Sequence, residues 1–252
     1  MLLGQQLSQL SHSAFIRRGR PPPQSLPPKK DESYARAGWT RTGAAPSGSG
    51  GSPTYAEPVT RIVGGALGGR RLLVPPGRGT RPTSERAREG LFNTLSAVLD
   101  LRGAAFADLY AGSGAVGLEA ASRGAGRVLL VESDHRAAGI VRRNAANLTD
   151  NAADKTADKA VRVLTTAVER VAATAPAGGP YDVVFADPPY RESDEQIDAL
   201  LESLSTNGWL AENAVLVVER DRRSREPVWP AGVDTMKSRG YGEATLWYGQ
   251  QT

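Results

Sequence analysis

The stretch Asp187-Pro188-Pro189-Tyr190 holds a carboxylate, a rigid turn and an aromatic ring in four consecutive residues. It follows the apolar run Val183-Val184-Phe185-Ala186, which reads as a buried strand that the two prolines forbid from continuing. In open α/β sheets, ligands bind at that end of a strand. Asp187 and the Pro188 carbonyl can both accept hydrogen bonds from one planar –NH₂ group, and Tyr190 can stack on the ring carrying it. Taken alone, the four residues fit an ordinary strand exit equally well.

A second stretch, Asp108-Leu109-Tyr110-Ala111-Gly112-Ser113-Gly114-Ala115-Val116-Gly117, adds information. Gly112, Gly114 and Gly117 form G-x-G-x-x-G between a predicted strand and a predicted helix. Such a loop turns tightly and offers free N–H groups at the helix start. A nicotinamide dinucleotide would suit it too. Asp108 sits where dinucleotide enzymes carry an apolar strand residue. It can accept from an amino acid's ammonium, directly or through water, or it can cap the helix. Glu132 ends the next strand, where an acid can hold both hydroxyls of a ribose or simply face solvent. An ammonium-facing acid with a ribose-facing acid suits S-adenosylmethionine better than NAD. The expected cofactor contacts are Asp108, Tyr110, Gly112, Gly114, Gly117 and Glu132, with Asp187 closing the set.

Methyl transfer from a sulfonium is a direct displacement, so the protein's task is positioning and electrostatics. The amine of a base is a poor nucleophile because its lone pair is shared with the ring. Hydrogen bonds from its two N–H groups to Asp187 and the Pro188 carbonyl would turn that lone pair toward the methyl group. Asp187 or water would then take the released proton. An amine inside folded RNA or DNA must first be flipped out, which gives Tyr190 a role. The expected catalytic residues are Asp187, Pro188 and Tyr190.

The elements that must position these groups alternate. Strands are predicted at Ala104–Tyr110, Arg127–Glu132, Val161–Leu164, Tyr181–Ala186 and Ala214–Glu219. Helices are predicted at Ala115–Ser122, His135–Asn147, Val168–Ala173 and Glu192–Ser205. A final strand pair, Val233–Lys237 and Ala244–Tyr248, would be joined by Arg239-Gly240-Tyr241-Gly242. Strand–helix alternation predicts an α/β fold with a mostly parallel sheet and helices on both faces. Ahead of it, Arg61–Gly65 and Arg70–Val74 read as a hairpin turned by glycines. A helix then starts after Arg81-Pro82-Thr83-Ser84, capped by Thr83 or Ser84. Its buried face would be Leu91, Phe92, Leu95, Val98 and Leu99, leaving Arg86 and Arg88 off that face.

Charge and composition divide the chain into three parts. Residues 1–58 hold eight Pro, seven Gly and eight Ser, and carry seven Lys/Arg against three Asp/Glu. They cannot bury enough surface to offset chain entropy and read as a disordered leader. Two readings of the leader stay open: a misassigned start with translation beginning at Val59, or a basic arm that helps hold RNA. A transit peptide is disfavoured by Pro21-Pro22-Pro23. Residues 59–102 carry eight basic and three acidic residues, and residues 103–252 carry sixteen and twenty-one. A basic front ahead of an acidic body fits contact with a polyanion. The chain has no cysteine, and its two histidines, His12 and His135, lie far apart, so neither a disulfide framework nor a Cys or His metal site is expected. No window has the apolar length of a membrane span, and a cytoplasmic setting is expected.

Together these stretches resemble the bacterial 16S ribosomal RNA guanine-N2 methyltransferases that modify a single guanine of the small subunit. The resemblance covers about residues 59–220. It rests on Arg61-Ile62-Val63-Gly64-Gly65, Gly69-Arg70-Arg71-Leu72, Arg81-Pro82-Thr83, Arg88-Glu89-Gly90-Leu91-Phe92-Asn93 and the Asp108–Gly114 loop. It continues through Gly117-Leu118-Glu119-Ala120, Ser122-Arg123-Gly124-Ala125, Val131-Glu132 and Asp187-Pro188-Pro189-Tyr190. It implies a Rossmann-like, seven-stranded class I S-adenosylmethionine-dependent methyltransferase with a hairpin-and-helix extension. The implied domains are the leader 1–58, the RNA-contacting extension 59–102 and the methyltransferase domain 103–252. It also implies that Arg81, Thr83, Arg88 and Asn93 lie near the cofactor or target nucleotide. Arg61, Arg70 and Arg71 join them as expected RNA contacts, while Asn144 reads as structural. The implied partner is 16S rRNA in a small subunit or its assembly intermediate. A monomer is expected, with no metal and no membrane. Departures are the Thr165-Thr166-Ala167-Val168 loop, which lacks the family's acid or amide, and the loosely matching Tyr241–Trp247 region.

Rival classes fit less of the chain. An adenine-N6 or other amino-group nucleic-acid methyltransferase shares Asp-Pro-Pro-Tyr but needs its own target-recognition domain. A glutamine-N5 protein methyltransferase has Asn at the place of Asp187. A nicotinamide dehydrogenase leaves Asp187 and Asp108 without roles, and a non-catalytic RNA-binding module leaves the acids and glycines unexplained.

Overall fold

A computed structural model describes residues 59–75, 84–149, 161–176 and 178–252. The expectations for residues 1–58, for Arg81 and Thr83 and for the polar loop 150–158 lie outside the described residues. Residues 53–252 fall in one compact unit.

In chain order the elements are β1 (Val59–Arg61), β2 (Arg71–Leu73), α1 (Glu85–Leu95), β3 (Ala105–Leu109), α2 (Ala115–Ser122), β4 (Arg127–Glu132) and α3 (His135–Thr149). Then come β5 (Val161–Thr165), α4 (Val168–Ala172), β6 (Tyr181–Ala186), α5 (Asp194–Thr206), β7 (Leu210–Asp221), β8 (Val233–Tyr241) and β9 (Ala244–Gln251). β1 and β2 pair antiparallel, and the other strands form one sheet in the order β5-β4-β3-β6-β7-β9-β8. The first five are parallel, while β9 runs antiparallel to both β7 and β8. This is the α/β sheet expected from the alternation of strands and helices.

The central strands are buried because both faces are covered. Side chains alternate across β3: Phe106 joins the core under α1, α2 and the hairpin, whereas Ala105, Ala107 and Leu109 join the core under α4 and α5. Ile62 and Leu72 of the hairpin and Leu91, Phe92 and Leu95 of α1 belong to that first core. The extension is therefore packed into the same apolar interior as the sheet. Ser84 caps α1, its hydroxyl accepting from Ala87 N at 3.1 Å.

Four expectations need correction. The hairpin strands are Val59–Arg61 and Arg71–Leu73 rather than Arg61–Gly65 and Arg70–Val74, because the glycines at 64, 65, 68 and 69 are taken up by the turn. The helix α1 ends at Leu95, so Val98 is not on a buried face and is 40% exposed. The strands β8 and β9 continue to Tyr241 and back from Ala244, leaving Gly242-Glu243 as the turn. Gly242 takes φ 65°, which favours glycine. The residues Ser238, Arg239 and Gly240 carry no strand pattern of their own, yet backbone pairing with β9 recruits them. For the same reason β7 starts at Leu210, which pairs with Tyr181 ahead of a register shift, rather than at Ala214.

Candidate active site

In the sheet order, β3 connects outward through α2 to β4, while β6 lies on its other side. The crevice beyond the carboxyl ends of β3 and β6 is thus where the strand order reverses. Leu109 is paired with Ala186, the last residue of β6. The backbone N–H of Asp187 donates to Leu109 O at 3.4 Å. The glycine loop and Asp187-Pro188-Pro189-Tyr190 therefore leave adjacent strands at one edge of the sheet. Asp187 and Pro189 are half-buried, Pro188 is buried, and Tyr190 is 65% exposed.

The glycine loop divides its labour. Gly112 and Gly114 hold φ 57° and 80°, conformations that an L side chain rarely adopts. Gly112 is half-buried and its N–H donates to Glu132 Oε2 at 2.9 Å. Glu132 Oε1 accepts from Asp134 N at 2.8 Å, so the carboxylate is held from two sides and remains partly exposed. Gly117 is different. A Cβ there would stand 2.2 Å from Leu130 Cδ2, so it lets α2 lie close on β4. It is buried and its N–H is taken by Asp108, which makes it a packing residue rather than the cofactor contact expected from the motif.

Asp108 is the matching correction. Gly114 starts α2 without a side-chain cap. The orphan N–H of Gly117 is satisfied instead by Asp108 Oδ2 at 2.8 Å. Asp108 is 1% exposed and shares the face of β3 that carries Phe106, beneath α2. The helix-capping alternative is the one realised, and the carboxylate does not open on the crevice. Burial, with a further push from Glu132, raises its pKa to about 7 against the lowering bond from Gly117.

Tyr110, just after β3, has φ 70°. For a bulky residue this costs on the order of 1–3 kcal/mol and persists only where the surroundings hold it. Its hydroxyl donates to Glu192 Oε2 at 2.8 Å, with Glu169 Oε1 at 3.5 Å. Burial first, then both carboxylates, push its pKa upward, so the phenol keeps its proton.

The expected RNA contacts separate. Arg61, Arg71 and Asn93 are exposed, and Arg61 pairs with Glu85 at 3.0 Å. Arg70 Nη1 donates to Leu148 O at 3.0 Å, near the end of α3. Arg88 is not a surface residue at all. It is 0% exposed, and its Nη2 donates to Arg61 O at 2.6 Å and Thr60 Oγ1 at 3.2 Å. Burial lowers its pKa against the raising pull of Glu119 and Glu85. Its place off the predicted apolar face of α1 misled because the hairpin covers that side.

Sequence reasoning missed the residues that seat the hairpin. Glu119 is fully buried in α2, and its oxygens accept from Val63 N at 2.6 Å, Gly64 N at 2.7 Å and Arg123 Nε at 2.9 Å. Ser122 Oγ accepts from Leu67 N at 2.9 Å and donates to Gly64 O at 2.6 Å. Asn144, read as structural, is that: it accepts from Leu73 N and donates to Leu73 O and Ser113 O, each at 2.9 Å. A lone Glu in the otherwise apolar helix Ala115–Ser122 was the available signal. Among the described residues, no group of three or more His, Cys, Asp or Glu is arranged to hold a metal, and no helix is long and apolar enough to cross a membrane.

Comparisons with known proteins identify the family and the fold. The family model described as Conserved hypothetical protein 95 matches residues 60–250. Ribosomal RNA small subunit methyltransferase D of Escherichia coli (strain K12) is 38% identical over 171 residues, 68% of this chain and 79% of that protein. Its namesake in Haemophilus influenzae is 32% identical over 170 residues, 66% of this chain and 81% of that protein. The solved structure of the Escherichia coli yhhF protein has a TM-score of 0.65 at 34% identity, covering 77% of this chain and 98% of that one. Magnesium protoporphyrin IX methyltransferase from Synechocystis, solved with S-adenosylmethionine bound, has a TM-score of 0.51 at 15% identity, covering 66% of this chain and 79% of that one. At that identity it speaks for the fold alone, a class I methyltransferase fold. The chain belongs to the family of ribosomal RNA small subunit methyltransferase D.

Proposed function

We propose that the chain transfers a methyl group from S-adenosylmethionine to the exocyclic N2 amine of a guanine in 16S ribosomal RNA. The observation that carries the reading is the pairing of Leu109 with Ala186, which brings the glycine loop and Asp187 to one edge of the sheet. Family membership supplies the substrate class.

The residues at that edge fit the cofactor. Gly112 is not fully buried and carries no side chain over the crevice. Glu132 spends one oxygen on Gly112 N and the other on Asp134 N, and a carboxylate has further lone pairs for ribose hydroxyls. When bound, S-adenosylmethionine supplies a methyl group on a sulfonium. Asp187 and the Pro188 carbonyl accept from the two N–H groups of the amine and orient its lone pair. After transfer the amine loses one proton, which Asp187 or water takes up. The exposed ring of Tyr190 stacks on the flipped base. Arg61, Arg70, Arg71 and Asn93 contact the RNA from the extension. The partner is the small subunit or its assembly intermediate in the cytoplasm, approached by a monomer.

Mass mapping of 16S rRNA from a strain lacking the gene, with and without the gene restored, tests the proposal. One N2-methylguanine that vanishes and returns with the gene is expected. A methyl group that tracks the gene on an adenine amine, or an unchanged methylation pattern, would overturn it.

A further inference from the structure

We infer that Tyr110, Glu192 and Arg220 form a clasp that fixes the loop after β6 against the glycine loop, making Glu192 and Arg220 positioning residues for methyl transfer. The inference rests on the function proposed above but on different contacts. Three neighbouring strands contribute: Tyr110 follows β3, Glu192 lies beyond β6, and Arg220 is near the end of β7. The Tyr110 hydroxyl reaches Glu192 Oε2 at 2.8 Å across 82 residues of sequence. The backbone of Glu192 is held on both sides. Its N–H donates to Pro189 O at 2.9 Å, and its carbonyl accepts from Arg220 Nη2 at 2.9 Å. Arg220 is 8% exposed and also pairs with Asp194 Oδ1 at 3.0 Å, at the first turn of α5. The capping box of Ser193 and Gln196 fixes the entry to that helix.

The segment from Asp187 to Asp194 is thus tied to β3 at its start, by Asp187 N on Leu109 O, and to β7 at its end, by Arg220. Tyr110 adds a side-chain tie between the glycine loop and this segment. Its left-handed backbone, unusual for a tyrosine, is part of the same arrangement. Two carboxylates compete for one phenolic proton, and Glu169, at 3.5 Å, is the weaker partner. Asp187 and Tyr190 sit inside the clasped segment. Its function is to hold the acceptor of the amine's N–H groups at a fixed separation from the cofactor loop, where small displacements cost rate steeply.

The test uses the full chain, tritiated S-adenosylmethionine and small subunits from the strain lacking the gene. Glu192→Ala is expected to slow single-turnover transfer about tenfold while the cofactor Kd stays within about twofold, and Tyr110→Phe, which keeps the ring and the backbone of the glycine loop, to slow transfer by a similar factor. Glu192→Gln keeps a carbonyl that accepts from the phenol and should retain most of the rate. The double variant Tyr110→Phe/Glu192→Ala should be no slower than either single one. Hydrogen exchange of the amides in residues 190–193 should accelerate in Tyr110→Phe and Glu192→Ala alike. Unchanged exchange, losses confined to cofactor Kd, or multiplicative losses in the double variant would overturn the clasp. If the wild type moves no methyl group to rRNA, the proposed function fails, and the exchange measurement alone decides the clasp.

Discussion

Replacing Glu119 by alanine tests how the extension is attached. The Glu119 carboxylate is fully buried and accepts from Val63 N, Gly64 N and Arg123 Nε. Hydrogen bonds to a charged group are worth about 1.5–3 kcal/mol each, and stripping one partner from a buried ion pair costs about 3–5 kcal/mol. These terms do not add. Val63 and Gly64 are half-buried, and Arg123 keeps 19% side-chain exposure and a contact 4.8 Å over the Phe92 ring. Water can therefore recover part of the loss, which argues for the lower end, about 3 kcal/mol. Against a total of roughly 5–15 kcal/mol this is severe but survivable. With a urea slope near 2 kcal/mol/M it lowers the unfolding midpoint by about 1.5 M. Glu119→Gln keeps one acceptor and should lose less. Hydrogen exchange should show the amides of Ile62–Gly65 losing protection before the sheet does. A midpoint shift under about 0.3 M with unchanged protection there would refute the reasoning.

Other substitutions probe the remaining contacts. Asp108 has a folded pKa raised from 3.8 to about 7, so its contribution to stability is full below pH 4 and is lost as pH rises through 7. Unfolding free energies from urea titrations should therefore fall from pH 4 to 8 in the wild type relative to Asp108→Asn, by an amount on the order of a few kcal/mol; parallel pH profiles would contradict it. Gly117→Ala puts a methyl group 2.2 Å from Leu130 Cδ2, and lifting α2 off β4 should cost about 1–3 kcal/mol in thermal or urea unfolding. Arg71→Glu, at an exposed position, should weaken rRNA binding and reduce the salt slope by about 1, as read from binding titrations at several salt concentrations. Arg70→Glu should in addition lower stability, because its guanidinium is engaged at Leu148 O.

What the sequence made legible follows its local physics. The strands Arg127–Glu132 and Tyr181–Ala186 stand where their apolar runs placed them, because both faces of the sheet are covered and burial alone writes the pattern. The helix Ala115–Ser122 was legible from the glycine loop ahead of it. Edge elements were not: Ser238, Arg239 and Gly240 become strand only through pairing with β9. The edge shared by Gly112 and Asp187 followed from strand–helix alternation, since parallel strands put all their carboxyl ends on one side. The inner wiring was hidden, because it joins residues distant along the chain. Glu119 meets Gly64 across 55 residues, and Arg88 meets Arg61 across 27. Asp108 was misjudged for a subtler reason. An acid at a strand end looks alike whether it faces a ligand or caps the next helix, and only the uncapped Gly114 distinguishes the two.

The central claim is that Asp187 orients the amine while the glycine loop and Glu132 hold the cofactor. Asp187→Ala, assayed in parallel for tritium transfer to small-subunit rRNA and for retention of tritiated S-adenosylmethionine, tests it directly. Transfer is predicted to fall below detection while the cofactor Kd stays within about threefold of the wild type. Equal loss of transfer and of cofactor binding, or transfer that survives the substitution, would contradict the account.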